Sequence, residues 1–222
     1  MKAELLPDEL TPLTLWDVLR GIRSAFGTVE GTDPSNQCLA ILTAQSALES
    51  GRWRSCHRYN LGNVKAGQSY EGYYCQFPCD EIINGKREVF RPPHPQTSFR
   101  AFLNLETGCL DQVSILRRRF PAAFGAAKAG DVPGFVHALK LSGYFTASEA
   151  PYLKAVLSLT NEYARSLAEP DRDTEPPPPS LEPLNLAPDE SRWLDLPTVL
   201  QGAVDDAMDA VREERNRNLR EE

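Results

Sequence analysis

The sequence predicts a mainly α domain with a small β lobe, followed by a separate acidic tail. Apolar residues recur at helical spacing through residues 13–50 and again through 105–166. Between these stretches, residues 52–100 lose the helical period and are rich in glycine, aromatic residues and proline. This segment also contains Asn84-Gly85, a strong signal for a two-residue β-hairpin turn. The order helix, β lobe, helix therefore indicates two lobes with a cleft between them.

Start and stop signals set the bounds of the predicted elements. Thr11 and Asp33 are the expected N-caps of the first two helices, because a proline follows each at the first helical position. Asp131 is the expected cap of a later helix. The first helix is predicted over 13–26, the hairpin arms over 79–83 and 86–90, and the later helices over 105–120, 132–141 and 148–166. A short segment is predicted over 121–129.

The chain divides into three segments. Residues 13–168 are predicted to form the domain, and 169–188 a proline-rich linker that is stiff and extended. Residues 189–222 contain an amphipathic helix whose apolar stripe must be buried somewhere. Folding back on the domain, self-association and docking to a protein partner all satisfy this requirement. The stripe consists of Leu196, Leu200, Ala203, Val204, Ala207, Met208 and Val211.

The net charge of −7 is unevenly distributed. Residues 1–170 hold 18 basic and 17 acidic residues, whereas 171–222 hold 6 and 14. A nearly neutral domain with an acidic tail argues against nucleic acid as a partner. The sequence has no apolar run of membrane-spanning length, so no membrane span is expected. Residues 1–10 lack the apolar core of a signal peptide, which predicts synthesis in the cytoplasm and delivery by a phage, an injection machine or a secretion system.

Five cysteines leave the redox state open. Cys38 and Cys109 fall on apolar helical faces and are predicted to be buried. Cys56, Cys75 and Cys79 lie in the loop-rich part, where free thiols, a disulfide or a metal site with His57 are the alternatives. The C-x3-C spacing gives zinc poor support, so neither a metal site nor a cofactor is predicted.

The helix that ends at Glu49 contains the candidate catalytic residue. It is apolar on most sides, which predicts burial, and Gly51 can end it in the left-handed conformation. Burial and the negative end of the helix dipole both favour a protonated Glu49. A neutral carboxylic acid is what a glycosidase uses as its general acid. An exposed terminal glutamate is the simpler interpretation of this position taken alone.

Several motifs occur in a fixed order: Ala44-Gln45-Ser46-Ala47-Leu48-Glu49-Ser50-Gly51, Tyr59-Asn60-Leu61-Gly62-Asn63, Asn84-Gly85-Lys86, Ser98-Phe99-Arg100-Ala101-Phe102 and Ser142-Gly143-Tyr144. This set resembles the endo-β-N-acetylglucosaminidases of glycoside hydrolase family 73, which includes the hydrolase domain of flagellar rod-cap proteins. The resemblance covers residues 13–168 and implies a lysozyme-like fold that cleaves peptidoglycan glycan strands. The segment 59–63 departs from the family's Asn-Asn-x-Phe-Gly, which puts the details of the sugar subsites in doubt.

The resemblance also implies site residues. Glu49 matches the general acid, and Glu81 matches a second carboxylate that precedes the hairpin turn. Asp80 and Glu71 remain alternatives for that second role. The predicted substrate-binding residues are Gln45, Asn60, Asn63 and Tyr144.

The expected function is hydrolysis of peptidoglycan glycan strands by an endo-β-N-acetylglucosaminidase. A muramidase or a lytic transglycosylase on the same polymer is one alternative. A non-catalytic module that binds cell wall in a phage tail or secretion machine is the other. Peptidase activity is disfavoured, because the three histidines do not group with a serine or cysteine in a nucleophile motif.

Overall fold

The computed structural model describes residues 3–83, 86–145 and 148–168, with the backbone alone for 80–83, 86 and 87. The helices are α1 (Leu15–Glu30), α2 (Asn36–Glu49), α3 (Leu105–Arg119), α4 (Pro121–Lys128), α5 (Val132–Leu141) and α6 (Glu149–Ala168). The strands are β1 (Glu4–Leu5), β2 (Tyr73–Gln76), β3 (Cys79–Ile83), β4 (Lys86–Phe90) and β5 (Ser98–Ala101), with a 3-10 turn at Pro95–Thr97. The predicted order of helices, β lobe and helices is confirmed.

Helix α2 is the centre of the helical lobe. Eleven of its 14 residues are buried, because α1, α4 and α6 pack around it. The even distribution of apolar residues around this helix is the reason that it can be covered on all sides. The prediction of a buried helix ending at Glu49 is therefore confirmed.

Two of the three predicted helix caps are wrong. Thr14 caps α1 in a reciprocal arrangement with Asp17, and Ser35 caps α2 by accepting from the Cys38 amide. In both cases a hydroxyl nearer the helix outcompetes the predicted residue for the free amides of the first turn. Asp131 caps α5 as predicted, accepting from the Gly134 amide at 2.9 Å.

The β lobe consists of two small sheets. Strand β2 pairs antiparallel with β5 and parallel with β1, and β3 pairs with β4 in the predicted hairpin. Both hairpin arms begin and end at the predicted residues. A stack of His57, Phe77 and Phe99 fills the centre of the lobe, with ring centroids 3.8 and 4.2 Å apart.

The N-terminal segment before the predicted domain start at residue 13 packs on the β lobe. Residues 4–5 extend the β2–β5 sheet as β1, and Thr11 hydrogen-bonds with the backbone of Cys56 and Tyr59. Asp8 Oδ1 lies 2.6 Å from His57 Nδ1, and Arg58 forms an ion pair with Glu9 at 2.7 Å. These contacts attach the segment to the β lobe through backbone pairing as well as charge.

Cys38 and Cys109 are fully buried as predicted, and none of the five cysteines, all of them described, forms a disulfide.

The predicted linker (169–188) and C-terminal helix (189–222) lie outside the described residues. No helix within the described part has the length and hydrophobicity needed to cross a bilayer.

Candidate active site

Glu49 is the last residue of α2, and its side chain is only 5% exposed. Directly after it the backbone makes a tight left-handed turn, with φ values of 56°, 54° and 61° at Gly51, Arg52 and Trp53. This turn leads the chain out of the helical lobe toward the β lobe. The acid is therefore held at the end of a buried helix, next to the connection between the lobes.

Side chains hold the turn in this unfavourable conformation. Arg52 forms a two-pronged ion pair with Glu162 of α6, with both nitrogen–oxygen distances at 2.7 Å. Trp53 is buried, donates from Nε1 to Ser46 Oγ at 2.9 Å, and stacks on Tyr163. A non-glycine residue with positive φ is strained, and the buried contacts of Trp53 offset part of that cost.

The Glu49 carboxyl group is surrounded by neutral hydrogen-bonding groups. Gln45 Nε2 and the Tyr152 hydroxyl each donate to Glu49 Oε1 at 3.3 Å. Tyr144 also hydrogen-bonds to the carboxyl group. In the described part of the chain, the side chains that act on the Glu49 pKa are these three, and none of them is charged.

Burial raises the pKa of Glu49 from 4.5 to about 7. Loss of water around the carboxylate is the largest cause, and the hydrogen bonds from Tyr144, Tyr152 and Gln45 lower the pKa by less. Near neutral pH a large fraction of Glu49 therefore carries a proton. A carboxyl group in this state can donate a proton to a leaving group and then persist as an anion.

Gln45 is fully buried, and both ends of its amide are used. Nε2 donates to Glu49 and to the Tyr144 hydroxyl, and Oε1 accepts from Nε2 of Gln112 on α3. The prediction that Gln45 binds substrate is therefore not supported by the geometry. Its side chain is enclosed by the protein and orients the acid through these hydrogen bonds.

Tyr144 is partly exposed and lies beside the acid. It follows Gly143, whose φ of 70° turns the chain at the end of α5, and its ring packs edge-on against Phe120. Burial of its hydroxyl raises the pKa of Tyr144 well above the usual value, so it stays neutral. A neutral hydroxyl beside Glu49 is compatible with the predicted contact to substrate.

Asn60 is buried, and its amide binds backbone. Nδ2 donates to the carbonyls of Val64 and Arg100, and Oδ1 accepts from the Val64 amide, all within 3.0 Å. These bonds tie the loop to β5, so a sugar contact is not supported here either. Asn63 adopts a left-handed φ of 48° and is partly exposed, which leaves its predicted role open.

The predicted second carboxylate lies on the hairpin. Glu81 is the middle residue of β3, opposite Glu88 of β4, and its side chain and that of Asp80 lie outside the described atoms. Glu71 is exposed in the loop before β2. The role of Glu81 therefore stays a prediction.

Comparison with known proteins gives a fold. No protein-family model and no curated protein matches the sequence. The structure is similar to a peptidoglycan hydrolase mutant from Sphingomonas sp. A1, with a TM-score of 0.53 and 24% identity, over 70% of this chain and 99% of that one. The chain has a lysozyme-like fold. It also resembles a truncated glycoside hydrolase domain of FlgJ from Salmonella typhimurium, at a TM-score of 0.47 and 25% identity, over 67% and 93% of the two chains.

Two residues of the hydrogen-bond network around Glu49, Tyr152 and Gln112, lie outside every motif of the sequence. A signal existed for both: each is a polar side chain on an inward-facing helical stripe, and a buried polar group needs a partner. The identity of that partner depends on how the helices pack.

The β lobe contains a cavity of about 350 Å³. Tyr70, Tyr74, Gln68, Ser69 and Ser98 contribute to its wall, and Glu49 does not. The Arg100 guanidinium lies 4.7 Å from the centre of the Tyr70 ring and forms an ion pair with Asp111. This arrangement holds one aromatic wall of the cavity in place.

Proposed function

We propose that this protein hydrolyses the glycan strands of peptidoglycan, as an endo-β-N-acetylglucosaminidase with Glu49 as general acid. The observation that carries the proposal is the buried carboxyl group of Glu49, with a pKa raised to about 7 amid neutral donors. The fold shared with a peptidoglycan hydrolase and the ordered motifs add support. The aromatic and hydroxyl groups of the β-lobe cavity suit a sugar chain.

In this mechanism, the proton on Glu49 passes to the glycosidic oxygen as the bond to the anomeric carbon breaks. The hydrogen bonds from Gln45 and Tyr152 then stabilise the carboxylate that remains. Tyr144, neutral and next to the acid, orients the N-acetyl group or a water molecule. Glu81 on the hairpin assists as a base or stabilises charge at the anomeric centre.

The decisive experiment uses purified cell wall with the wild type and Glu49→Gln. Glutamine keeps the shape of the side chain and removes the proton, so lysis should fall about a hundredfold or more while the fold persists. Glu106→Gln, a change at an exposed glutamate of α3, is the matched control and should leave lysis unchanged. Lysis by Glu49→Gln at the wild-type rate would refute the assignment of the acid.

Mass spectrometry of the released muropeptides identifies the bond. Reducing ends of N-acetylglucosamine support the proposal, whereas reducing ends of N-acetylmuramic acid identify a muramidase and an anhydro product identifies a lytic transglycosylase. Binding to cell wall without any product identifies a non-catalytic module.

Substitution of single carboxylates tests the second group. Glu81→Gln should reduce turnover and leave binding to insoluble cell wall intact. Asp80→Asn and Glu71→Gln are the matched comparisons, and a larger loss with either one transfers the role to that residue. If all three variants remain active, a mechanism with one carboxylate is the better account.

We also propose a division of labour along the chain. The segment 189–222 attaches the enzyme to a protein partner or to a second copy through its apolar stripe. Delivery from the cytoplasm by a phage, an injection machine or a secretion system brings the domain to its polymer. Fractionation of producing cells and pull-down with the isolated segment test these two statements.

A further inference from the structure

Gln112 lies outside the motifs that support the proposed function, yet it contacts the site through Gln45. It projects from α3 and is 4% exposed, and its Nε2 donates to Gln45 Oε1. Gln45 in turn presents Nε2 to Glu49 Oε1 and to the Tyr144 hydroxyl. A chain of three side chains thus connects α3 to the acid.

An amide has two dissimilar ends, and which end faces the carboxyl group matters. With Nε2 toward Glu49, Gln45 stabilises the carboxylate form. With Oε1 toward Glu49, it would repel the carboxylate and favour the protonated acid. The donor from Gln112 occupies Gln45 Oε1, so only the Nε2 end is left to face Glu49.

We propose that Gln112 is a positioning residue for the acid: its hydrogen bond fixes the orientation of the Gln45 amide, so that Gln45 donates to Glu49. This statement rests on the proposed function only where it concerns activity. The orientation and its effect on Glu49 can be measured in the protein without any substrate.

The loop that precedes the β lobe lies against the Gln112 side chain at Gly62. A Cβ atom added at Gly62 would lie 2.1 Å from Gln112 Oε1, so no other residue fits there without moving that side chain. The backbone of Gly62 does not adopt a positive φ, and alanine can therefore take up the same conformation. Gly62→Ala consequently displaces the Gln112 side chain, while Gln112, Gln45 and Glu49 all keep their chemical identity.

The titration of Glu49 is simple enough to interpret. The groups that act on its pKa are Gln45 from α2, Tyr144 after α5 and Tyr152 from α6, and within the described residues none of them is charged. A change in the Glu49 pKa caused by a substitution at Gln112 must therefore pass through this neutral network.

The experiment follows the Glu49 carboxyl carbon by NMR in protein labelled with ¹³C-glutamate, with Glu49→Gln to assign the signal. In Gln112→Met the pKa of Glu49 should rise by about one pH unit, the scale of one hydrogen bond lost to a carboxylate. Gly62→Ala should shift it in the same direction. Gln37→Met makes the same change at the far end of α2 and should have no effect.

A double-variant cycle then tests whether Gln112 acts through Gln45. In a Gln45→Met background, the addition of Gln112→Met should not change the Glu49 pKa any further. An equal shift in both backgrounds would overturn the proposal. A fall of the pKa in Gln112→Met would also overturn it, because it would mean that Gln45 Oε1 faces Glu49 in the wild type.

Two further outcomes complete the test. If Gln112→Met does not fold, the shift in Gly62→Ala decides, and an unchanged pKa there refutes the proposal. If the wild type lyses cell wall, the alkaline limb of the pH–rate profile of Gln112→Met should lie at higher pH than that of the wild type. This shift should match the shift in the Glu49 pKa measured by NMR. If the wild type is inactive, the proposed function fails, while the NMR result still decides the role of Gln112.

Discussion

The hydroxyl of Tyr152 donates to Oε1 of Glu49 at 3.3 Å, from a residue that lies 103 positions further along the chain. Helix α6 packs against α2 and brings this tyrosine to the end of the buried helix. The contact partly offsets the cost of burying the carboxylate.

Tyr152→Phe removes this donor and leaves the ring in its stack against Phe145. We expect the Glu49 pKa to rise, because the carboxylate loses a hydrogen bond, and the alkaline limb of the pH–rate profile to move upward. Tyr163→Phe, on the same helix, is the control, since the Tyr163 hydroxyl is buried without a partner among the described residues. Equal shifts in both variants would contradict the assignment.

The raised pKa of Glu49 predicts how the stability of the protein depends on pH. In the folded protein the pKa is about 7, against 4.5 for an ordinary glutamate, so the folded state holds the proton more tightly. The contribution of Glu49 to the free energy of unfolding is complete below pH 4.5. It is lost as the pH rises to about 7, and the loss is roughly 3 kcal/mol. Glu49→Gln has no titrating group at this position and does not lose stability in this way. In urea unfolding, the free energy of unfolding of the variant relative to the wild type should therefore be larger at pH 8 than at pH 4.

The left-handed backbone at Arg52 gives a second stability prediction. Arg52→Gly and Arg52→Ala both lose the ion pair with Glu162, which is half exposed and contributes little. Glycine tolerates a φ of 54°, whereas alanine is strained there. We expect Arg52→Gly to be more stable than Arg52→Ala by roughly 1 kcal/mol in urea unfolding. The reverse order would mean that the turn does not keep this conformation in solution.

Two helical glycines, Gly108 in α3 and Gly125 in α4, should respond in opposite ways to replacement by alanine. A Cβ atom at Gly108 would lie 2.1 Å from the Tyr59 carbonyl oxygen, so Gly108→Ala should destabilise the domain by about 1–3 kcal/mol. Gly125 in α4 has open space around it, and alanine there should stabilise by about 0.5–1 kcal/mol. Thermal melts of the two variants measure both. A similar melting temperature for the two would argue against the close packing at Gly108.

The last prediction concerns the tail. The described core ends with α6 at Ala168, and truncation after Glu169 removes the linker and the predicted amphipathic helix. We expect the truncated protein to melt like the full chain and to lyse cell wall, and to lose self-association or attachment to a partner. Light scattering and pull-down measure that loss. Unfolding of the truncated protein would show that the tail is part of the core.

The sequence alone determined the elements whose signals are local. The even distribution of apolar residues along α2 predicted its burial, Asn84-Gly85 predicted both hairpin arms, and the position of Glu49 at the end of a buried helix predicted its proton. The helix caps are harder to predict from the sequence, because several serine, threonine and aspartate residues lie within a few positions of each helix start. Small differences in backbone geometry decide which of them caps the helix.

Only the tertiary structure decided what surrounds the acid. Gln112 and Tyr152 lie 67 and 103 positions from the α2 residues that they contact, and no local spacing encodes such pairs. The same holds for Asn60, whose side-chain amide donates to the carbonyl of Arg100, 40 positions further along the chain. Sequence patterns report which side chains are buried, because burial follows periodicity. The partner of a buried polar group depends on how separate elements pack, and that packing fixed the pKa of Glu49.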